Sequence, residues 1–145
     1  MAITTAMCTS FKTELLGGVH DLDTHTLKIA LIKSSMSGTY GAATTNYSDV
    51  TGNSDEATGT NYTAGGQNLD GAAISASGTT AIVDFTDEVF SNVTTSADGC
   101  IIYNSSASNK AICVIDFGGT VSATAGDLTI EFPAADASNA VIRIA

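Results

Sequence analysis

Apolar residues are crowded into two parts of the chain and thin in between. Positions 34–80 hold only Val50, Leu69 and Ile74 from the Ile, Leu, Val and Phe set, whereas the rest of the chain holds 29. The first third and the last half therefore supply the core. The middle reads as a long polar loop at 34–66, rich in Gly and Thr and suited to ordering against a partner.

Where the large residues do occur, their period is two. In Thr26–Lys33, Leu27, Ile29 and Leu31 alternate with Lys28, Ala30 and Ile32, which predicts a strand with one wholly apolar face. Thr79–Thr86 repeats the scheme with Ala81, Val83 and Phe85. Asp127–Phe132 sets Leu128, Ile130 and Phe132 inward against Thr129 and Glu131, and Ala140–Ile144 closes the chain with Ile142. The strongest hairpin is Gly99–Gly118. Its arms, Cys100–Asn104 and Ala111–Asp116, are almost continuously apolar and flank a turn of Ser, Ala, Asn and Lys, so it is expected at the centre with both faces covered.

Helical signal is confined to one place. Ser10 or Thr9 can cap a short helix starting at Phe11, with Phe11 and Leu15 on one face and Gly17-Gly18 as the stop. Residues 1–9 form an N-terminal arm. Its first six residues carry Ile3 among small neighbours and have nothing local to pack on, so the arm is expected to fray or to dock elsewhere. Seven or eight short strands with turn signals between them predict one all-β domain over 1–145, a β-sandwich or jelly-roll-like barrel. No period of the length used by solenoids or propellers repeats.

Composition sharpens this picture. Gly, Ala, Ser and Thr make 71 of the 145 residues, so the core is modest and part of the stability is expected from neighbouring subunits. The formal charge is −10, and no Lys or Arg occurs between Lys33 and Lys110. Nucleic-acid binding needs clustered cations, and an anionic membrane would repel such a surface, so neither partner is expected. No apolar run is long enough to span a bilayer as a helix. The N-terminus lacks the basic and apolar regions of a secretory leader, which predicts synthesis in a cytosol.

Candidate chemistry is sparse. Cys8, Cys100 and Cys113 form no CxxC; a single bridge between Cys100 and Cys113 is conceivable, but small buried hydrophobes is the preferred reading. His20 and His25 with Asp21 and Asp23 fit no zinc spacing and read as a polar loop. Asp49, Thr51, Asn53 and Asp55 alternate as in a calcium loop, but the glycine falls two places early and Thr60 stands where a Glu is needed. Adjacent carboxylates, Asp55-Glu56 and Asp87-Glu88, would face opposite ways on a strand, which is wrong for a glycosidase pair. No nucleophile elbow or phosphate loop is present, and the N-x-Ser/Thr triplets at Asn46, Asn61, Asn92 and Asn104 reflect composition. The expectation is a protein that is not an enzyme, with no catalytic residues, metal or cofactor.

Three of the four tyrosines, Tyr40, Tyr47 and Tyr62, fall in the polar middle. With Ile3 and Phe11 they are the expected partner-contact residues, for a protein or a sugar. The competing reading is that they anchor the loop to its own domain.

Several segments taken together carry a resemblance. They are Ser10-Phe-Lys-Thr-Glu-Leu-Leu-Gly-Gly18, Leu27-Lys-Ile-Ala-Leu31, Gly59-Thr-Asn-Tyr-Thr-Ala-Gly-Gly66 and Ala81-Ile-Val-Asp-Phe85. The run Ile102 to Gly118, Gly126-Asp-Leu-Thr-Ile-Glu-Phe-Pro133 and the ending Asn139-Ala-Val-Ile-Arg-Ile-Ala145 complete the set. Nearly end to end, the chain resembles a family of small virion structural proteins of tailed bacteriophages, frequent in aquatic phages. The resemblance implies a virion component on the capsid surface, a head decoration or cement protein whose partners are the major capsid protein and itself, as a homotrimer. A tail, fibre or collar component and a carbohydrate-binding module on a phage appendage are the alternatives. The Asn46–Asp55 loop is longer and more acidic than the family pattern, so its contacts are not carried over.

Overall fold

A computed structural model describes all residues, 1–145, and the fold is all-β. In chain order the elements are β1 (Ala2–Ile3), β2 (Ala6–Met7), α1 (Thr9–Leu16), β3 (Leu27–Ile32), β4 (Thr39–Tyr40), α2 (Ser48–Gly52) and β5 (Gln67–Asn68). There follow β6 (Ala73–Ser77), β7 (Thr80–Asp84), β8 (Glu88–Asn104), a 3₁₀ turn (Ser105–Ala107), β9 (Lys110–Ile130) and β10 (Ile142–Ile144).

The largest sheet has five strands in the order β2-β9-β8-β3-β5. β8 lies at its middle, with Ile101 and Ile102 opposite Ala30 and Ile29 on one side and opposite Val114 and Cys113 on the other. Cys100–Asn104 and Ala111–Val114 are buried throughout, so both faces of this hairpin are covered within one chain. A three-stranded sheet, β10-β7-β6, contributes Val83 and Ile142 to the same contiguous core of 29 buried residues that holds Ile29, Ile101 and Phe90. The two sheets thus share one core, in keeping with a sandwich-like all-β domain.

The hairpin is longer than its apolar centre. β8 runs for 17 residues and β9 for 21, with register shifts between Phe90 and Val93, Val93 and Thr95, and Ala97 and Gly99. These bulges take up residues that alternation alone cannot place. α1 starts at Thr9, two residues ahead of the predicted Phe11. Its N-cap is Cys8, and neither Ser10 nor Thr9 caps it by side chain.

Of the two courses expected of the N-terminal arm it takes the second, docking on its own domain, and the long loop expected at 34–66 is corrected. β1 pairs in parallel with β4, and β2 pairs with β9 in the large sheet, Ala6 opposite Val114. Ile3 covers Gly99, where an added Cβ would come within 2.8 Å of the Ile3 Cδ1. The 34–66 segment is likewise folded onto the domain, through β4, α2 and single bridges Ile32–Glu56, Asn46–Lys110 and Thr60–Thr94.

Candidate interaction surface

The polar segment is held by two neighbouring carboxylates that point opposite ways. Asp55, fully buried, accepts from the backbone N–H of Ser37 (2.9 Å) and Gly38 (2.8 Å) and from the Tyr40 hydroxyl (2.6 Å), and pairs with Lys33 Nζ at 3.3 Å. Burial alone would raise its pKa, but the Tyr40, Ser37, Gly38 and Lys33 donors outweigh it and hold the carboxyl far below the usual range. Glu56 accepts from the Tyr47 hydroxyl, from the Tyr62 hydroxyl at 2.9 Å and from Gly65 N–H at 2.6 Å.

Of the five expected contact residues, Ile3, Phe11 and Tyr40 are buried, while Tyr47 and Tyr62 are half-buried with their hydroxyls bonded to Glu56. Tyr40 is 1% exposed, and burial together with Asp55 pushes its hydroxyl up to about 12. Tyr47 stacks on Tyr103 with centroids 4.5 Å apart and planes at 9°, while Tyr62 stacks on Phe90 and its hydroxyl accepts from Leu31 N–H at 2.9 Å. Phe11 is fully buried, edge-on to His20 at 5.0 Å, and Ile3 packs from the arm onto Gly99. The tyrosines anchor the loop to its own domain. Tyr47 and Tyr62 each keep part of the side chain at the surface.

The two histidines meet at one residue. Buried Asn104 spends both amide hydrogens on the Nδ1 atoms of His20 (3.0 Å) and His25 (2.9 Å), while its Oδ1 accepts from Ser106 and Ala107 N–H. With Nδ1 as acceptor, His20 donates through Nε2 to Glu14 at 2.7 Å, and Glu14 is bound again by Lys110 at 3.0 Å. Burial would raise the Glu14 pKa, but His20 and Lys110 bring it below its usual value. The three cysteines are free and buried, and desolvation pushes the thiols of Cys8 and Cys100 up to about 12. Cys100 and Cys113 are diagonal on β8 and β9, each opposite an isoleucine, and are not bridged.

Two adjoining recesses of the surface are mainly apolar. A cleft of about 420 Å³ runs between α1 and the β10-β7-β6 sheet, walled by Leu15, Leu22, Ile74, Val83, Ile142 and Ile144. A second recess of about 330 Å³ continues it past Met7, Phe11 and Leu16. Three large side chains on this surface face solvent: Leu16 is 90% exposed, Ile74 56% and Ile144 50%. The sequence carries a signal for one of them. Leu15 and Leu16 are adjacent on a helix that ends at Gly17, so one of the pair must point away from the core.

Compared with known proteins, the chain matches no family model, no curated protein and no solved structure.

Proposed function

We propose that this chain is a structural protein of a tailed-phage virion, a head decoration protein that binds across capsid subunits and resists their separation. The observation that carries the contact role is the apolar cleft with its exposed Leu16, Ile74 and Ile144, on a molecule whose histidines, Asp55 and Glu56 are all engaged in internal bonds. Patches of this kind, rimmed by polar surface, mark protein–protein contacts. The place in the virion is supported by the chain-long resemblance described above. The action is cumulative, many small interfaces adding up over a lattice, and no catalytic step, metal or cofactor enters it.

Copy number tests the location. Quantitative staining of purified virions that carry this protein gives copies in the hundreds if it decorates the head, and a few dozen or fewer if it belongs to tail, collar or fibre. The contact surface is tested by Leu16→Ser. Because Leu16 is almost fully exposed, the variant unfolds within about 0.5 kcal/mol of the wild type, yet binds undecorated capsids more weakly. Unchanged binding would remove the cleft from the capsid contact.

A further inference from the structure

β6 is an uncovered strand edge, five residues long, whose register with its one neighbour is uninterrupted. It pairs with β7 through a two-residue turn at Gly78-Thr79, with Gly78 at φ 61°. Ser77 and Thr80 flank that turn as the hydrogen-bonded pair, so Ser75 and Ala73 also bond to β7. The N–H and C=O groups of Ile74 and Ala76 therefore point away from the sheet, and β6 has no second strand neighbour. Ala73 to Ala76 are all exposed.

Folded proteins protect such an edge with Lys, Pro, a bulge, an inward charge or a covering segment. The β6 sequence, Ala-Ile-Ser-Ala-Ser, has none of these, and its register with β7 is uninterrupted. The other edges are shorter, occupied or protected. The outer side of β9 has no strand neighbour past Val114, but there it is bulged between Asp116 and Val121 and between Ala123 and Gly126, and it carries Asp116 and Asp127. β2 and β5 have two residues each, and the Gln67 side chain of β5 is bound to Glu88 and to the Val89 carbonyl. The outer side of three-residue β10 borders recesses shared with α1 and β2.

We propose that two copies of this chain pair β6 to β6, antiparallel about a two-fold axis at Ser75, and so merge their three-stranded sheets into one. The strand is self-complementary in this register. Ile74 of each copy lies opposite Ala76 of the other, large against small, with both outward-pointing residues bonded. Ser75 meets Ser75 of the second copy at the axis. The segment is uncharged, which suits contact between two copies that each carry −10. An edge that pairs with itself closes at two. A three-fold ring would need a second regular edge to receive β6, and the outer edge of β9 is bulged and carries Asp116 and Asp127, so two-fold closure takes the place of the trimer expected from the sequence.

The register makes a sharp test. At the axis the two Ser75 residues form a non-hydrogen-bonded pair with Cα atoms about 4.5 Å apart, inside the range a disulfide spans. Ala73, on the same face and equally open, would lie about 13 Å from its own counterpart, four residues along at about 3.3 Å each. The native cysteines are buried and contribute little background. On mild oxidation of the full-length protein, Ser75→Cys should give a disulfide-linked dimer at least about tenfold faster than Ala73→Cys, set by that geometry. Light scattering of the wild type should give the mass of two chains. Ala76→Pro removes one outward N–H without breaking a bond to β7, and should be monomeric with an unchanged circular dichroism spectrum. If that variant fails to fold, Ile74→Lys replaces it. A wild-type monomer or trimer, equal cross-linking of the two cysteine variants, or a folded edge variant that stays dimeric would each overturn the proposal.

Discussion

Asp55 and Glu56 are neighbours in sequence and anchors for opposite sides of the same segment: Asp55 collects Ser37, Gly38 and Tyr40, while Glu56 collects Tyr47, Tyr62 and Gly65. Strand-like alternation at the Ile32–Glu56 bridge sends the two carboxylates apart. A stretch almost without large apolar residues is thereby given a fixed shape by polar bonds.

Removing Asp55 should therefore cost more than a loop substitution normally does. Asp55→Ala leaves the Tyr40 hydroxyl and two N–H groups without their acceptor and Lys33 without its partner, a loss of about 3 kcal/mol. Urea denaturation of the two proteins measures it, and a difference under about 1 kcal/mol would mean that water replaces the carboxylate.

The same carboxylate gives the stability a pH dependence. Its folded pKa lies below the unfolded value near 3.8, so the unfolded chain binds the proton more readily. Its contribution is whole above that value and is lost as pH falls through it toward the depressed folded one. Thermal melts of the wild type from neutral pH down into this range should decline more steeply than those of Asp55→Asn, and parallel curves would assign the acid sensitivity elsewhere.

Ile102 sits fully buried in the central strand, paired with Ile29 on one side and Cys113 on the other. Ile102→Asp places an unpaired charge there and should unfold the domain, with loss of the β-sheet circular dichroism signal. A folded monomeric variant would show that this hairpin is a subunit interface instead.

The N-terminal arm should behave as part of the core. Ile3→Ala uncovers Gly99 and should destabilise by about 2 kcal/mol in chemical denaturation. Proteolysis of the wild type gives a second check: with β2 laddered on β9, the first seven residues should resist cleavage until global unfolding.

The central strands of both sheets are legible in the sequence because they follow a period of two with large side chains. β3, β7, the 99–118 hairpin and β10 fall where alternation of Leu27, Ile29, Leu31, Val83, Ile101 and Ile142 puts them. The flanks of β8 and β9 are not legible, since Ser, Thr, Gly and Ala there carry no period and bulges shift what register exists. The arm and the 34–66 segment escape for a different reason. Their order comes from partners far along the chain and from Asp55 and Glu56, and neither leaves a periodic trace. The tyrosines of the polar middle do form contacts, as their placement suggests, but the contacts are internal. Apart from the Leu15-Leu16 pair, the cleft leaves no trace in the sequence, because Ile74 and Ile144 look like core residues until α1, β6 and β10 are placed.

The pairing of β2 with β9 has a consequence for the newborn chain. Thr5 accepts a hydrogen bond from Asp116 across 111 residues, and Ala6 finds its partner only at Val114. During translation the first strands emerge long before the strand that completes them. Until then β3, with Leu27, Ile29 and Leu31, has no central strand to lie against. The domain cannot close while it is still being made; it closes in a late, single step after most of the polypeptide has left the ribosome.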